Sequence, residues 1–152
     1  MPAFESKVEL PCSPELLFDF LAQPENLIKV SPPELQVRLV EAPVRIELGS
    51  RITVVGKRWG ISQRMTTEVI GYDVGHLLTD EQREGPFRAF RHTRIIEPTG
   101  DLVRLIERIE FEPPGGLVGM LMTASRIREG LAEVSQYRIQ AMRKIFETAN
   151  GR

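Results

Sequence analysis

The stretch "RAFRHTRIIEPTGDLVRLIERIEF", residues 88–111, decides the fold. Apolar and polar residues alternate on both sides of Pro98-Thr99-Gly100-Asp101, which predicts two strands joined by a tight turn. Phe90, Ile96, Val103, Leu105, Ile109 and Phe111 fall on one face of that hairpin, and so do His92 and Glu107. An ionisable group on a core-facing surface costs free energy unless it is paired and hydrogen-bonded. The hairpin therefore raises the question of what these two groups are for.

Register supplies a first answer. With the turn centred on Thr99-Gly100, Ile96 lies opposite Val103, Arg94 opposite Leu105 and His92 opposite Glu107. With the preceding turn centred on Pro86, Asp80 lies opposite His92 and Gln82 opposite Phe90. Asp80, His92 and Glu107 then form one row across three adjacent strands. Directly opposed residues have Cβ atoms about 4.5–5.5 Å apart, within side-chain contact. Flanking carboxylates favour a protonated His92 and burial opposes it. Such a row can hold strands in register, orient a ligand carbonyl, hydroxyl or carboxyl, or act as a general acid or base.

Outward from the hairpin, strand signals occupy residues 35–42, 50–58, 61–72 and 76–83, separated by turn chemistry at Gly49-Ser50, Gly60 and Gly71 to Gly75. The links are too short for crossovers, so the sheet is expected to be antiparallel. Upstream, "FESKVEL" alternates as a half-buried strand, with Phe4, Ser6, Val8 and Leu10 on one side. Ser13 is an N-cap and Pro14 a first helical residue for "SPELLFDFLAQ", whose apolar face is Leu16, Leu17, Phe20 and Leu21. A short second helix in "PENLIKVSPP" should stop at Pro32 and Pro33. Downstream of a Pro/Gly hinge, "EPPGGLVG", a helical pattern runs over 119–148. Its stripe is Met120, Ala124, Ile127, Leu131, Val134, Ala141 and Ile145, with Arg126, Arg128, Glu129, Glu133, Arg138 and Lys144 off it. Gly130 is a weak point inside it. The order is α+β: two short helices after strand 1, a curved antiparallel sheet of about seven strands, and a long closing C-terminal helix. One helix cannot fill a strongly curved sheet, so the remaining space either packs with side chains or stays as a cavity.

The chain length of 152 residues points to a single domain over residues 1–152, large enough to bury roughly 70% of its unfolded surface. The net charge of −1 gives no bulk reason to expect nucleic acid or an anionic membrane as a partner. No apolar run reaches the length of a membrane span, so no stable membrane insertion is expected. "MPAFESKVEL" carries charges where a secretory apolar region would be, and a cytoplasmic location is expected. The lone Cys12, beside Pro11, has no disulfide partner and is read as an inert thiol. His76 opens a strand and is read as exposed. The two histidines lack metal-site spacing, so no metal or cofactor is expected. No phosphate loop is present, and Ser62 and Ser125 lack a nucleophile-elbow setting.

"SPELLFDFLAQPENLIKVSPPEL", "ELGSRI", "DEQREGPFRAFRHTRII" and "LIERIEFEPPGG" together resemble the START-like, helix-grip superfamily, also labelled SRPBCC or polyketide cyclase/dehydrase-like. The resemblance covers nearly the whole chain and is closest to small stand-alone bacterial ligand-binding proteins. Phe90 stands where that branch suggests Trp, and Glu107 where it suggests Asp; both keep the chemical type. The resemblance implies a helix-grip fold with a hydrophobic tunnel between the sheet and the C-terminal helix, gated by loops. Function is less defined, because such folds host carriers, receptors and enzymes.

On this reading the chain binds a small hydrophobic molecule such as a lipid, isoprenoid or polyketide-like compound, as monomer or homodimer. The expected ligand-binding residues are Trp59, Met65, Asp80, Gln82, Phe87, Phe90, His92, Glu107, Met120 and Met122. Leu121 is a further gate candidate, and "PPGGLVGMLM" is the expected gate. The alternatives are a cyclase or dehydratase-like lyase, with His92 as acid/base oriented by Asp80 or Glu107, and an interaction module that docks through the apolar "GGLVGMLM" segment.

Overall fold

The computed structural model describes residues 1–58 and 61–149. Seven strands form one antiparallel sheet: β1 (Ala3–Leu10), β2 (Arg38–Glu41), β3 (Arg51–Arg58), β4 (Ile61–Asp73), β5 (Leu77–Glu84), β6 (Ala89–Thr99) and β7 (Leu102–Glu112). Their spatial order is β1-β7-β6-β5-β4-β3-β2. The α1 (Pro14–Leu21) and α2 (Glu25–Lys29) helices follow β1, and α3 (Gly116–Leu121) and α4 (Ala124–Ala149) follow β7. The chain has the α+β helix-grip architecture that the sequence predicts.

Local chemistry explains most boundaries. Ser13 caps α1, its Oγ accepting from Leu16 N at 3.1 Å, and Pro14 takes the first helical position. The buried face of α1 is Leu17 and Phe18; Leu16 is exposed, so the expected stripe is rotated by one residue. β2 begins three residues later than the reading of 35–42, because Pro33–Leu35 forms a 3-10 turn.

The expected single helix over 119–148 is two helices. The six-residue α3 ends at Leu121, and Thr123 starts α4: its Oγ1 accepts from Arg126 N and its carbonyl from Ile127 N. A threonine hydroxyl competes with helical backbone bonds and favours this capping role. Gly130 leaves room for a long side chain from β3. The Arg58 guanidinium lies where a Cβ would project, and reaches on to Glu133 at 3.4 Å.

Two apolar clusters fill the concave face. One joins Val8, Leu10, Leu17, Phe18, Val69, Leu78, Ile96, Val103, Leu105, Met142 and Phe146. The other joins Ile109, Phe111, Met122 and Ile127, with Phe4, Phe87 and Phe90 packed against it. Along β7 the inward residues run Val103, Leu105, Glu107, Ile109, Phe111. The polar residue thus falls where one cluster ends and the next begins.

Candidate functional site

The hairpin register differs from expectation by two residues. Thr99 pairs with Leu102, so the turn residues are Gly100 and Asp101. Gly100 has φ of 64°, which suits the first position of a two-residue hairpin turn. Ile96 consequently faces Leu105, Arg94 faces Glu107, and His92 faces Ile109. A shift of two keeps every side chain on its expected face; a shift of one would have reversed them. His92 and Glu107 are diagonal neighbours rather than directly opposed, and their long side chains still meet: His92 Nε2 lies 2.6 Å from Glu107 Oε2. The expected Asp80–His92 pairing is present in the β5–β6 register.

Two arginines complete the group. Arg94 Nη1 donates to Asp80 Oδ1 at 3.0 Å, and its Nε lies 3.9 Å from Glu107 Oε2. Arg138 Nη1, from α4, donates to Glu107 Oε2 at 3.1 Å. His92 and Glu107 side chains are each 7% exposed, and Arg138 is 15% exposed. The row expected across three strands is therefore a five-residue cluster across three strands and a helix, in which Asp80 is bonded to Arg94 rather than to His92.

Arg94 could have been found from its parity, which matches that of His92. The sequence pattern places Arg138 off the helix stripe, and the structure corrects this. Arg138 stands four residues after Val134 and four before Met142, on the face that packs against the sheet, and its charge masks that spacing.

The electrostatics follow from burial and pairing. Burial would raise the Glu107 carboxyl, but Arg138, the His92 hydrogen bond and Arg94 outweigh it, holding the group well below the usual carboxylate range. Burial, followed by the positive Arg94, pushes His92 below its ordinary value against the pull of Glu107 and Asp80. Near neutral pH the pair is a neutral imidazole beside a carboxylate. An ionised carboxylate only accepts, so His92 Nε2 carries the proton and Nδ1 keeps a lone pair. Two arginines balance two carboxylates.

Two cavities of about 220 Å³ each open on the concave face. The first is apolar, walled by residues including Val55, Phe87, Met122, Ile127 and Leu131, with Arg58 and Gln63 at its border. The second is walled by α1, α2 and the sheet, with Phe20, Leu27, Ile52 and Phe90 beside Asp80, His92, Arg94 and Arg138. Val54 and Met65, directly opposed in β3 and β4, border both.

Of the ten residues expected to bind ligand, Phe87 and Met122 wall the apolar chamber, Asp80, Phe90 and His92 wall the polar-ended chamber, and Met65 walls both. Glu107 lies behind His92 and fixes it. Gln82 clamps the Gly85-Pro86 turn through both Phe87 backbone groups, at 2.8 and 3.3 Å, and borders neither chamber. Met120 is 74% exposed and borders neither chamber. Trp59 lies outside the described residues.

In the expected gate, Pro114 and Met122 are buried, and the Met122 sulfur meets Gln63 Nε2 at 3.8 Å. Leu117, Met120 and Leu121 of α3 point to solvent. His76 is exposed. Burial pushes the half-buried Cys12 thiol up to about 11, as suits an unreactive group. Among the described residues no helix is long and apolar enough to cross a membrane.

The family described as "Polyketide cyclase / dehydrase and lipid transport" matches residues 1–147. Solved structures share the fold at low identity. A START superfamily protein from Mycobacterium smegmatis superposes with a TM-score of 0.74 at 16% identity, over 98% of this chain and 99% of that one. Ginseng major latex-like protein 151 from Panax ginseng gives 0.66 at 14% identity, over 92% and 96%. The protein TTHA0849 from Thermus thermophilus gives 0.67 at 20% identity, over 97% and 95%. No curated protein sequence matches the chain significantly.

Proposed function

The chain belongs to the polyketide cyclase / dehydrase and lipid transport family, and on that premise we propose that it binds, unchanged, a small hydrophobic molecule such as a lipid, isoprenoid or polyketide-like compound. The observation that carries this reading is the pair of chambers: largely apolar walls, with polar side chains gathered at one end. That is the composition of a small-molecule site, where apolar area supplies affinity and a few polar groups fix orientation. Area removed from water contributes about 25 cal/mol per Å², less the cost of ordering the ligand. His92, Arg94 and Arg138 face the chamber and orient the polar end, while Glu107 holds His92 and Arg138 in place.

Native mass spectrometry of the purified protein, followed by solvent extraction, tests the reading. A hydrophobic compound is expected at near-stoichiometric occupancy, and its mass names the class. A ligand-free mass, together with no saturable binding across a panel of apolar compounds, would contradict it.

One observation favours a second reading: His92 both lines a chamber and is hydrogen-bonded to a carboxylate, the arrangement of an oriented acid/base. On that reading the protein is a cyclase or dehydratase. Turnover lost in His92→Ala with binding retained would support it, and turnover unchanged would remove it.

A further inference from the structure

We propose that the two chambers form one site for a linear amphiphile, whose hydrogen-bond-accepting head, a carbonyl or carboxylate, sits on Arg138 Nε while its tail passes Met65 into the apolar chamber. This inference rests on the binding reading above and specifies its ligand.

The head assignment follows from which hydrogen-bonding capacity is spent. Glu107 Oε2 accepts from His92 and Arg138, and Asp80 Oδ1 accepts from Arg94. Arg138 Nε, by contrast, is buried and has no hydrogen-bond partner among the described residues. A buried guanidinium donor left unpaired costs free energy, and a ligand acceptor there would recover it. The charges agree. Arg94, Arg138 and Asp80 line the chamber, while Glu107 stands behind the wall, so the lining is net positive. A carbonyl or carboxylate head fits that lining, whereas an ammonium head would meet two guanidinium groups with Asp80 alone to offset them.

The tail assignment follows from volume and topology. Small-molecule sites run to roughly 300–1,000 Å³. Neither chamber reaches that range at about 220 Å³, but the two together do. They meet at a ridge made of Val54 and Met65. Methionine is unbranched, with three rotatable bonds, so its side chain can swing aside at small cost. Both chambers lie along the same strands. Ile52 and Thr67 mark the polar-ended side of the ridge and Gly56 and Gln63 the apolar side, which sets the path of an extended chain.

Calorimetric titration of the full-length protein near pH 7.5 with dodecanoic acid, dodecylamine and hexanoic acid tests both halves. Dodecanoic acid should bind at least about tenfold more tightly than dodecylamine, the factor expected of one hydrogen bond to a charged group. Arg138→Lys keeps the positive charge beside Glu107 but lacks a donor at Nε. It should remove about tenfold of the dodecanoic acid affinity and change dodecylamine affinity far less. Met65→Trp should abolish the gain of dodecanoic over hexanoic acid while hexanoic acid still binds. Equal affinity for acid and amine, or an Arg138→Lys protein with undiminished acid binding, would overturn the head assignment and leave the binding reading intact. A long-chain advantage that survives Met65→Trp would overturn the path. Failure of all three probes to bind, with a hydrophobic compound still found by native mass spectrometry, would overturn this inference and leave the binding reading intact.

Discussion

The two faces of this sheet use the same residue types to opposite ends. On the convex face Arg91, Glu81, Arg83, Glu68 and Arg51 form a chain of ion pairs across β6, β5, β4 and β3, with side chains 26–61% exposed. On the concave face Asp80, Arg94, Glu107 and Arg138 also pair, at 7–17% exposed, around a neutral histidine. Glu81 and Asp80 are neighbours in β5, and Arg91 and His92 are neighbours in β6, so one step along a strand separates the two settings. Outside, water and salt screen each charge, and a lost partner is replaced by solvent. Inside, a lost partner leaves an uncompensated charge in a medium that cannot stabilise it. Charge on the convex face is therefore easily compensated by solvent, and charge on the concave face depends on its protein partners.

Breaking the inner network should produce the largest effect. Glu107→Ala strands Arg138 beside an apolar core, and should cost roughly 3–5 kcal/mol in urea unfolding. A cost below about 1 kcal/mol would mean that the inner cluster is as well solvated as the outer one. Next in size is a double-mutant cycle. The Glu107–Arg138 coupling should exceed the Glu81–Arg91 coupling, which should fall within about 1 kcal/mol. Raising salt to about 1 M should weaken the outer coupling far more than the inner.

Acid sharpens the contrast through His92 and Glu107. An unfolded chain's histidine takes up its proton near 6.5, whereas buried His92 does so only at lower pH. Between the two values the unfolded state binds more protons, so stability should decline as pH falls below about 6.5. Arg94, Asp80, Glu107 and Arg138 are the charged groups around it, and Glu107 acts with the same sign further down. Its carboxylate protonates near 4.5 in the unfolded chain but stays ionised in the folded one to lower pH. His92→Gln, which can still donate to Glu107, should remove the upper part of this decline in a pH series of urea midpoints. A protein that grows more stable as pH falls from 6.5 to 5 would contradict the neutral histidine. The smallest effect belongs to the convex face: Arg91→Ala should change stability by no more than about 0.5 kcal/mol.

Much of this is legible in the sequence, because a period of two assigns faces without needing a register. The faces of His92 and Glu107, the Asp80–His92 pairing and the antiparallel run of linked strands follow from alternation and turn residues, whereas the place of β1 beside β7 does not. The register of the last hairpin does not. "PTGD" accommodates turns centred one residue apart, and only the left-handed Gly100 distinguishes them. Arg138 is hidden for a different reason. A charge on a helix normally marks the solvent side, and nothing local announces the buried carboxylate, 31 residues away in sequence, that draws it inward. The break before α4 is visible in Thr123, a capping residue inside what the apolar stripe presents as a continuous helix. The chambers are beyond reach, since their volumes depend on the rotamers of residues such as Met65, and a periodic pattern carries no information about those.

The most direct test of the account observes the arginines themselves. Nitrogen-15 NMR of the guanidinium Nε–H groups, recorded while dodecanoic acid is added to saturation, compares the two faces in one experiment. Arg138 and Arg94 should shift and gain protection from exchange, Arg138 most, while Arg91 and Arg104 on the convex face stay unchanged. Saturable binding that leaves Arg138 unmoved, or that shifts the convex arginines equally, would contradict it.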